Sequence, residues 1–125
     1  MQAQTLFERL GGTAGISAIV DDIVVAHSEN PTVRARFLPV IAQPERLKVI
    51  KAHTVNFLSM GSGGSATYLG RSMRDAHTGM NISGEEYLAV VDDIMGVLQK
   101  RKIDEQTQKD VLAIAYSLKN EIVRV

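Results

Sequence analysis

The chain has 125 residues, the size of one ordinary domain, and can bury a core without disulfides or structural metals. Its 14 lysines and arginines balance 14 aspartates and glutamates, so it has no excess positive charge for nucleic acid or an anionic membrane. It has no cysteine, which excludes disulfides, thiolate zinc sites and cysteine catalysis. The opening MQAQTLFERL lacks the pattern of a secretory signal, and no apolar stretch approaches the roughly 20 residues that cross a bilayer. We expect one soluble, cytoplasmic, monomeric domain over residues 1–125.

The first third of the chain predicts two helices. Thr5 and Glu8 have the spacing of a capping box and Gly11–Gly12 follows as a stop, which indicates a short first helix. Thr13 is the predicted cap of a second helix, which ends before Pro31 because the residue ahead of a proline disfavours helical conformation. The apolar residues of this second helix recur with the period of one buried stripe: Ile16, Ile19, Val20, Ile23 and Val24.

The middle of the chain predicts a very short helix and then a long one. Residues 32–38, TVRARFL, leave room for about two turns before Pro39. Pro44 suits the first turn of the next helix, since its missing N–H would be unpaired there anyway. His53 lies at the margin of the apolar face of that helix, and we expect it to point partly inward. The face itself comprises Leu47, Ile50, Thr54, Phe57 and Leu58.

After the glycine-rich break at residues 61–66, three further helices are predicted. Ser72 with Asp75 opens a helix over residues 73–78 that Gly79 ends. The next helix begins at Ser83 with Glu86, runs to about Arg101 and turns inward Tyr87, Val90, Val91, Ile94, Val97 and Leu98. Asp104 caps a last helix with the stripe Val111, Leu112, Ala115, Leu118 and Ile122.

The chain is therefore predicted to be all-α, because no segment alternates with a period of two for long enough to form a strand. A closed four-helix bundle is one arrangement of such helices. However, the longest non-helical connections, residues 37–43 and 61–70, flank a helix with an inward histidine. This arrangement favours a pocket over a closed bundle.

Several segments resemble the truncated (2-on-2) haemoglobins of group I, in the order in which that family has them. They are LFERLGGTAGISAIVDD, the Phe37–Leu38 pair, KAHTVNFLSMGSGG at 51–64 and YLGRSMRDAHTGMNIS at 68–83. The resemblance covers most of the chain and implies a two-over-two helical sandwich that holds haem b. In GRSMRDAH, it implies that His77 is the proximal iron ligand.

The residues around His77 agree with such a role. A haem iron needs a neutral imidazole, and a b-type haem has no other bond to the chain. A very short helix between glycine-rich loops lets an imidazole approach a porphyrin without long side chains in the way. The alternative is that His77 is an inward polar residue whose nitrogens bond to the backbone.

The resemblance also implies a set of haem contacts. Phe37 matches the phenylalanine that packs flat against the porphyrin, although an aromatic there can equally belong to the core. Phe57 and Leu58 match apolar pocket positions, where haem contact and core packing nearly coincide. The side chains of Lys51, Arg71 and Arg74 can each reach a haem propionate or remain solvated. The full set of expected haem contacts is Val24, Phe37, Ile50, Lys51, Thr54, Phe57, Leu58, Arg71, Met73 and Arg74.

The distal side departs from the family pattern. Val24 stands where the family usually has a tyrosine that donates to bound oxygen, and Ile50 and Thr54 stand where it often has glutamine. Thr54 is then the one remaining donor, and a neutral hydrogen bond contributes only about 0.5–1.5 kcal/mol. His53 matches a histidine that binds the iron from the distal side in some cyanobacterial relatives, which also carry GRSMR. We expect His53 and His77 both to be axial ligands when no gas is bound. The alternative is that His53 faces a propionate or water and does not bind the iron.

Three functions follow, from different classes. The first is a haem protein that binds O2, NO and CO and that, with an electron donor, can convert nitric oxide to nitrate. The second is an electron-transfer or redox-sensing haem protein in which His53 rarely leaves the iron. The third is a haem-free helical interaction module. Zinc hydrolysis is disfavoured, because the sequence has no His-Glu-x-x-His motif or equivalent cluster.

Overall fold

The structure is a computed structural model that describes residues 4–125. The prediction about the opening of the chain falls partly on residues 1–3, outside the described residues. Residues 4–125 contain no strand, only an isolated bridge between Ile82 and Val123. The chain is therefore all-α, as predicted. Its helices are α1 (Leu6–Arg9), α2 (Gly12–Glu29), α3 (Arg34–Ile41), α4 (Pro44–Gly61), α5 (Met73–His77), α6 (Gly84–Lys100), α7 (Glu105–Ser117) and α8 (Lys119–Ile122).

Side-chain caps start four of these helices where the sequence predicts them. Thr5 and Ser83 each form a complete capping box with the glutamate three residues later. Ser72 accepts from the backbone N–H of Asp75, and Asp104 accepts from that of Thr107. Each cap satisfies a backbone donor that the first turn leaves unpaired, which is why helix starts are readable from local sequence.

The predicted cap of α2 is wrong. Thr13 lies inside the helix, and the N-cap is Gly11, which makes no side-chain hydrogen bond. Gly11 and Gly12 have φ values of 95° and 69°, a left-handed conformation that glycine adopts without a steric penalty. The chain therefore turns sharply out of α1 and enters α2 two residues ahead of the predicted cap.

Two other helix boundaries differ from the prediction. α3 continues through Pro39 to Ile41, although proline lacks the N–H that would bond to the carbonyl four residues earlier. The last predicted helix is divided, because α7 ends at Ser117 and α8 begins at Lys119. Leu112, predicted inward, is 40% exposed. Periodicity located these segments, but it did not show where the backbone bends.

The long helices form two pairs, α2 with α4 and α6 with α7, which meet where α2 packs on α6. The main core joins α1, α2 and α6, with Ile16 and Leu98 each only 1% exposed. A second, smaller core lies at the other end of α6. It contains Ile82, Tyr87, Val91 and Ile122.

The helix α4 has no buried apolar residue, although its sequence carries a full apolar face. It packs on α2 and α3, whereas α5 packs on α8. Among residues 4–125, α4 makes no comparable packing with α5 or α6. The apolar face of α4 and the short helix α5 therefore do not pack closely on one another, and we refer to the region between them as the cleft. No helix of the described part is long and apolar enough to span a membrane.

Candidate functional site

His77 is the last residue of α5 and is half-buried. Its Nδ1 lies 2.7 Å from the carbonyl oxygen of Met73, one turn earlier. A carbonyl oxygen only accepts hydrogen bonds, so Nδ1 carries the proton and donates it. The neutral ring then has its lone pair on Nε2, the form that a metal binds.

Local sequence keeps α5 short and accessible. Ser72 caps its start, and Gly79, with φ of 88°, follows its end. In the loop before it, the Tyr68 hydroxyl donates to the Arg71 carbonyl at 2.6 Å. The Tyr68 ring folds closely over Gly70, where a Cβ would lie 2.4 Å from the tyrosine oxygen. Glycine at position 70 therefore lets this loop close against α5.

The opposite wall of the cleft is the apolar face of α4. Ile50 is 39% exposed, and Thr54, Phe57 and Leu58 are half-buried. His53, predicted to point partly inward, is exposed and lies against the ring of Tyr68. On the same face Ile50 is exposed, whereas Leu58 packs against the main core.

An aromatic cluster links this wall to the loop before α5. The Tyr68 ring meets His53 edge-on at 5.8 Å and Phe57 edge-on at 5.2 Å between ring centroids. His53 has no hydrogen-bond partner among residues 4–125. Within the described residues, the edge contact of this imidazole with the tyrosine ring is therefore not reinforced by a hydrogen bond.

Hydrogen-bond donors on the α4 wall are scarce. The Thr54 hydroxyl donates to the Ile50 carbonyl of its own helix at 2.8 Å. Val24 on α2 is half-buried and has no polar atom in its side chain. The structure thus leaves neither position with a free donor for a ligand in the cleft.

Phe37 on α3 is half-buried and lies against the imidazole of His27, with ring centroids 4.5 Å apart. His27 lies in the last turn of α2, where a charged imidazole would favourably face the negative end of the helix dipole. Instead it is 5% exposed, and its Nδ1 donates to Asp93 of α6 at 2.7 Å. Burial lowers the pKa of His27 below 6.5, against the opposing effect of Asp93. The neutral ring is therefore favoured in the folded protein.

The comparisons with known proteins agree on one family. The family described as bacterial-like globin matches residues 5–124. A group 1 truncated haemoglobin from Synechocystis is 30% identical over 115 residues, which cover 89% of each chain. The chain belongs to the truncated haemoglobin family.

Solved structures of truncated haemoglobins share the fold. The Fe(III) form from Tetrahymena pyriformis superposes with a TM-score of 0.87 at 20% identity, covering 98% of this chain and 100% of the other. The 2/2 haemoglobin from a Synechococcus species, in the cyanomet state with covalently attached haem, gives 0.86 at 22% identity with the same coverage. The fold is thus the two-over-two helical sandwich that the resemblance implies. Truncated haemoglobins bind haem and gaseous ligands.

The cations expected at the propionates of this truncated haemoglobin differ in their surroundings. Lys51 pairs with Asp21 of α2 at 3.1 Å. Arg74 donates to the Asn120 carbonyl at 3.3 Å. Arg71 is exposed, and its side chain makes no hydrogen bond or ion pair within residues 4–125. Arg71 is therefore the most readily available of the three for an anionic group.

The residues present fit a haem group. His77 is half-buried and its Nδ1 is engaged by the Met73 carbonyl, which leaves Nε2 to bind a metal, and the apolar face of α4 is not fully buried. No cluster of three or more metal-binding side chains occurs in residues 4–125, whereas a haem iron needs only one or two.

Three residues of this region, Tyr68, Asp93 and Asn30, have no role predicted from the sequence. Tyr68 lies inside the segment that carries the family resemblance, and an aromatic beside a glycine-rich loop was the available signal. Asp93 lies on α6, more than sixty residues from His27, and its approach depends on how two helices pack. No local pattern could have found that pair.

Proposed function

We propose that this truncated haemoglobin holds haem b with His77 as the proximal ligand, binds O2, NO and CO, and acts in the detoxification of nitric oxide or reactive species. The observation that carries the proposal is the 2.7 Å hydrogen bond from His77 to the Met73 carbonyl. It fixes the ring orientation and the tautomer, as a second-shell partner does for a metal-binding histidine.

The type of haem follows from the chain's side chains. The chain has no cysteine, so it cannot form the thioether links of a c-type haem. Helices α7 and α8 contain no histidine, so these two helices cannot form a covalent bond between a histidine and a haem vinyl group. When bound, haem supplies an iron that takes up diatomic gases and exchanges electrons.

The remaining expected contacts shape the pocket. Ile50, Phe57, Leu58, Met73 and Val24 supply apolar surface that excludes water from the cleft. Phe37 packs against one porphyrin face, and cations at the mouth offset the propionate charges. The protein works as a monomeric cytoplasmic globin domain over residues 1–125. Its positive and negative charges are equal in number, so it has no excess positive charge to bind nucleic acid.

We assign the sixth iron position, in the absence of gas, to His53. The support is that its imidazole is exposed, has no hydrogen bond among residues 4–125 and makes only an edge contact with Tyr68. Moving it costs little, since no hydrogen bond breaks. With His53 as a ligand, a gas would have to displace it, and the apparent affinity for the gas would be the intrinsic affinity multiplied by the fraction of protein in the open state.

A second candidate, electron transfer or redox sensing, is favoured by the lack of distal donors. The Thr54 hydroxyl is engaged by Ile50, and Val24 offers none. Bound oxygen would therefore receive little stabilisation from the pocket. Conversion of nitric oxide also needs an external electron donor, whose identity the chain does not reveal.

Absorption spectra test the ligand assignments. We expect the ferric and ferrous wild type to be low-spin and six-coordinate, His53→Ala to become high-spin or water-ligated, and His77→Ala to lose haem. Lys48→Ala, at an exposed position of α4, is the control and should match wild type. An unchanged low-spin spectrum in His53→Ala would disprove the sixth-ligand role, and a wild type without haem would favour the interaction module.

Rapid mixing separates the two haem functions. Oxygenated protein is mixed with nitric oxide and the rate of nitrate formation is recorded. A fast reaction supports detoxification, while a slow one together with rapid electron exchange favours the redox function.

A further inference from the structure

Phe37 shares a contact surface with the imidazole of His27. Their ring centroids are 4.5 Å apart and their planes differ by 30°. His27 comes from α2 and is 5% exposed, whereas Phe37 comes from α3 and is half-buried. Close-packed rings cannot move independently, so the plane of the imidazole limits the plane of the phenyl ring.

The imidazole is itself held in place from α6. Its Nδ1 donates to Oδ2 of Asp93 at 2.7 Å, and the Asp93 side chain is 16% exposed. The Asn30 amide donates to both oxygens of the same carboxylate, at 3.1 and 3.2 Å. A rotation of the His27 ring would break a largely buried hydrogen bond to a charged group.

The helix α3 depends on such side chains for its position relative to α6. It packs on α2 and α4, and it has no comparable packing on α6 within residues 4–125. One direct polar link exists, between Arg36 and Glu86. The other route is indirect and runs from Asp93 through His27 to Phe37.

We propose that Asp93, acting through the ring of His27, is a positioning residue that sets the orientation of Phe37 in the pocket. This inference rests on the proposed function in one respect, namely that Phe37 packs against haem. Asp93 hydrogen-bonds to His27, and His27 packs against Phe37. Its effect is carried by the imidazole alone.

Fluorine NMR tests the relay. The chain has three phenylalanines, so labelling with 4-fluorophenylalanine yields three signals, and Phe37→Leu identifies that of Phe37. The sample is the purified protein with haem in the diamagnetic ferrous carbon monoxide form. We expect Asp93→Asn to shift or broaden the Phe37 signal and to leave that of Phe7 in place. Asp92→Asn, the same change at the exposed neighbouring position, should move neither.

A second readout connects the relay to the haem. Transfer of haem from the ferric protein to excess apomyoglobin measures the rate of haem loss. We expect Asp93→Asn to accelerate the loss about tenfold, because the amide oxygen of asparagine accepts a weaker, neutral hydrogen bond in place of one to a charged group, and Asp92→Asn to match wild type. A general loss of structure would move all three fluorine signals, whereas the relay moves that of Phe37.

The outcomes separate the relay from the proposed function. If Asp93→Asn leaves the Phe37 signal at its wild-type position, the relay is overturned. If that signal moves but Phe37→Leu does not change haem loss, the relay stands and the haem contact of Phe37 is wrong. If Asp93→Asn fails to fold, the relay is tested in wild type instead. The measurement is then the nuclear Overhauser effect between the Phe37 fluorine and a His27 ring proton. Its presence supports the relay and its absence overturns it.

Discussion

The hydroxyl of Thr54 donates to the carbonyl oxygen of Ile50, four residues earlier in α4, at 2.8 Å. This bond occupies the only hydroxyl on the α4 wall that the sequence analysis proposed as a donor to bound oxygen. A threonine inside a helix commonly satisfies itself in this way. The consequence is that neither Thr54 nor Val24 offers a free hydrogen-bond donor to bound oxygen.

Thr54→Val should therefore leave the rate of oxygen release unchanged within about twofold, because the hydroxyl already has a partner. Valine keeps the shape of the side chain and removes the hydroxyl. Stopped-flow replacement of oxygen by carbon monoxide measures the rate. A release that becomes several times faster would show that Thr54 leaves Ile50 to reach the ligand.

Val24→Tyr should slow oxygen release by up to about tenfold, since one neutral hydrogen bond is worth about 0.5–1.5 kcal/mol. The change restores the donor that the family usually has on the second helix. Val24→Phe is the matched control, because it adds the ring without the hydroxyl. Equal rates in both variants would mean that ring size, and not hydrogen bonding, controls release.

Glu86 should stabilise the folded protein in a pH-dependent way. The hydrogen bond from Arg36 lowers the pKa of Glu86 from 4.5 to about 2. A lowered carboxyl pKa adds stability above pH 4.5, and that stability is lost as the pH falls from 4.5 towards 2. Glu86→Gln should thus be less stable than wild type at pH 7, with the difference shrinking on acidification. Urea unfolding, monitored by circular dichroism at several pH values, measures this difference in the free energy of unfolding.

The control for this prediction is Glu85→Gln, which removes the neighbouring charge at an exposed position of the first turn of α6. Its free energy of unfolding should equal that of wild type within about 0.5 kcal/mol. A constant difference between wild type and Glu86→Gln across the acid range would contradict the role assigned to the Arg36 pair.

His27 should make stability fall at mildly acidic pH. Burial lowers its pKa below 6.5, so the unfolded chain binds a proton more readily than the folded one just below that value. Stability then decreases as the pH drops from 7 through 6.5 and below. His27→Phe should flatten the curve between pH 7 and 5, while Lys48→Ala, at an exposed position of α4, should keep it. A wild-type curve that is flat in this window would refute the prediction.

Two helical glycines should respond in opposite directions to alanine. At Gly15 a Cβ would lie 2.2 Å from the Leu10 carbonyl oxygen, and at Gly96 nothing lies within 4 Å. Gly15→Ala should destabilise by about 1–3 kcal/mol, because backbone must shift. Gly96→Ala should stabilise by about 0.4–1 kcal/mol, since it reduces the freedom of the unfolded chain. Thermal unfolding of both variants checks the signs, and a stabilised Gly15→Ala would contradict the close approach of α1 and α2.

The sequence by itself determined the helices and most of their starts. Ser83 with Glu86 and Thr5 with Glu8 act within four residues, so capping boxes can be read without knowing the fold. The short α5 with His77 at its end is determined in the same local way, by Ser72 before it and Gly79 after it. The family resemblance over these segments then indicated the two-over-two arrangement.

Only the tertiary structure decided which polar groups meet across the chain. His27 and Asp93 lie 66 residues apart, and their hydrogen bond exists because α2 packs on α6. The same packing buries His27, so a residue that looks like a helix-end cation becomes a neutral neighbour of Phe37. The open cleft also follows from packing, because an apolar stripe on α4 does not specify whether another helix or a bound group will cover it. Local hydrogen bonds depend on sequence spacing, whereas burial and hydrogen bonds between distant residues depend on how whole helices pack on one another.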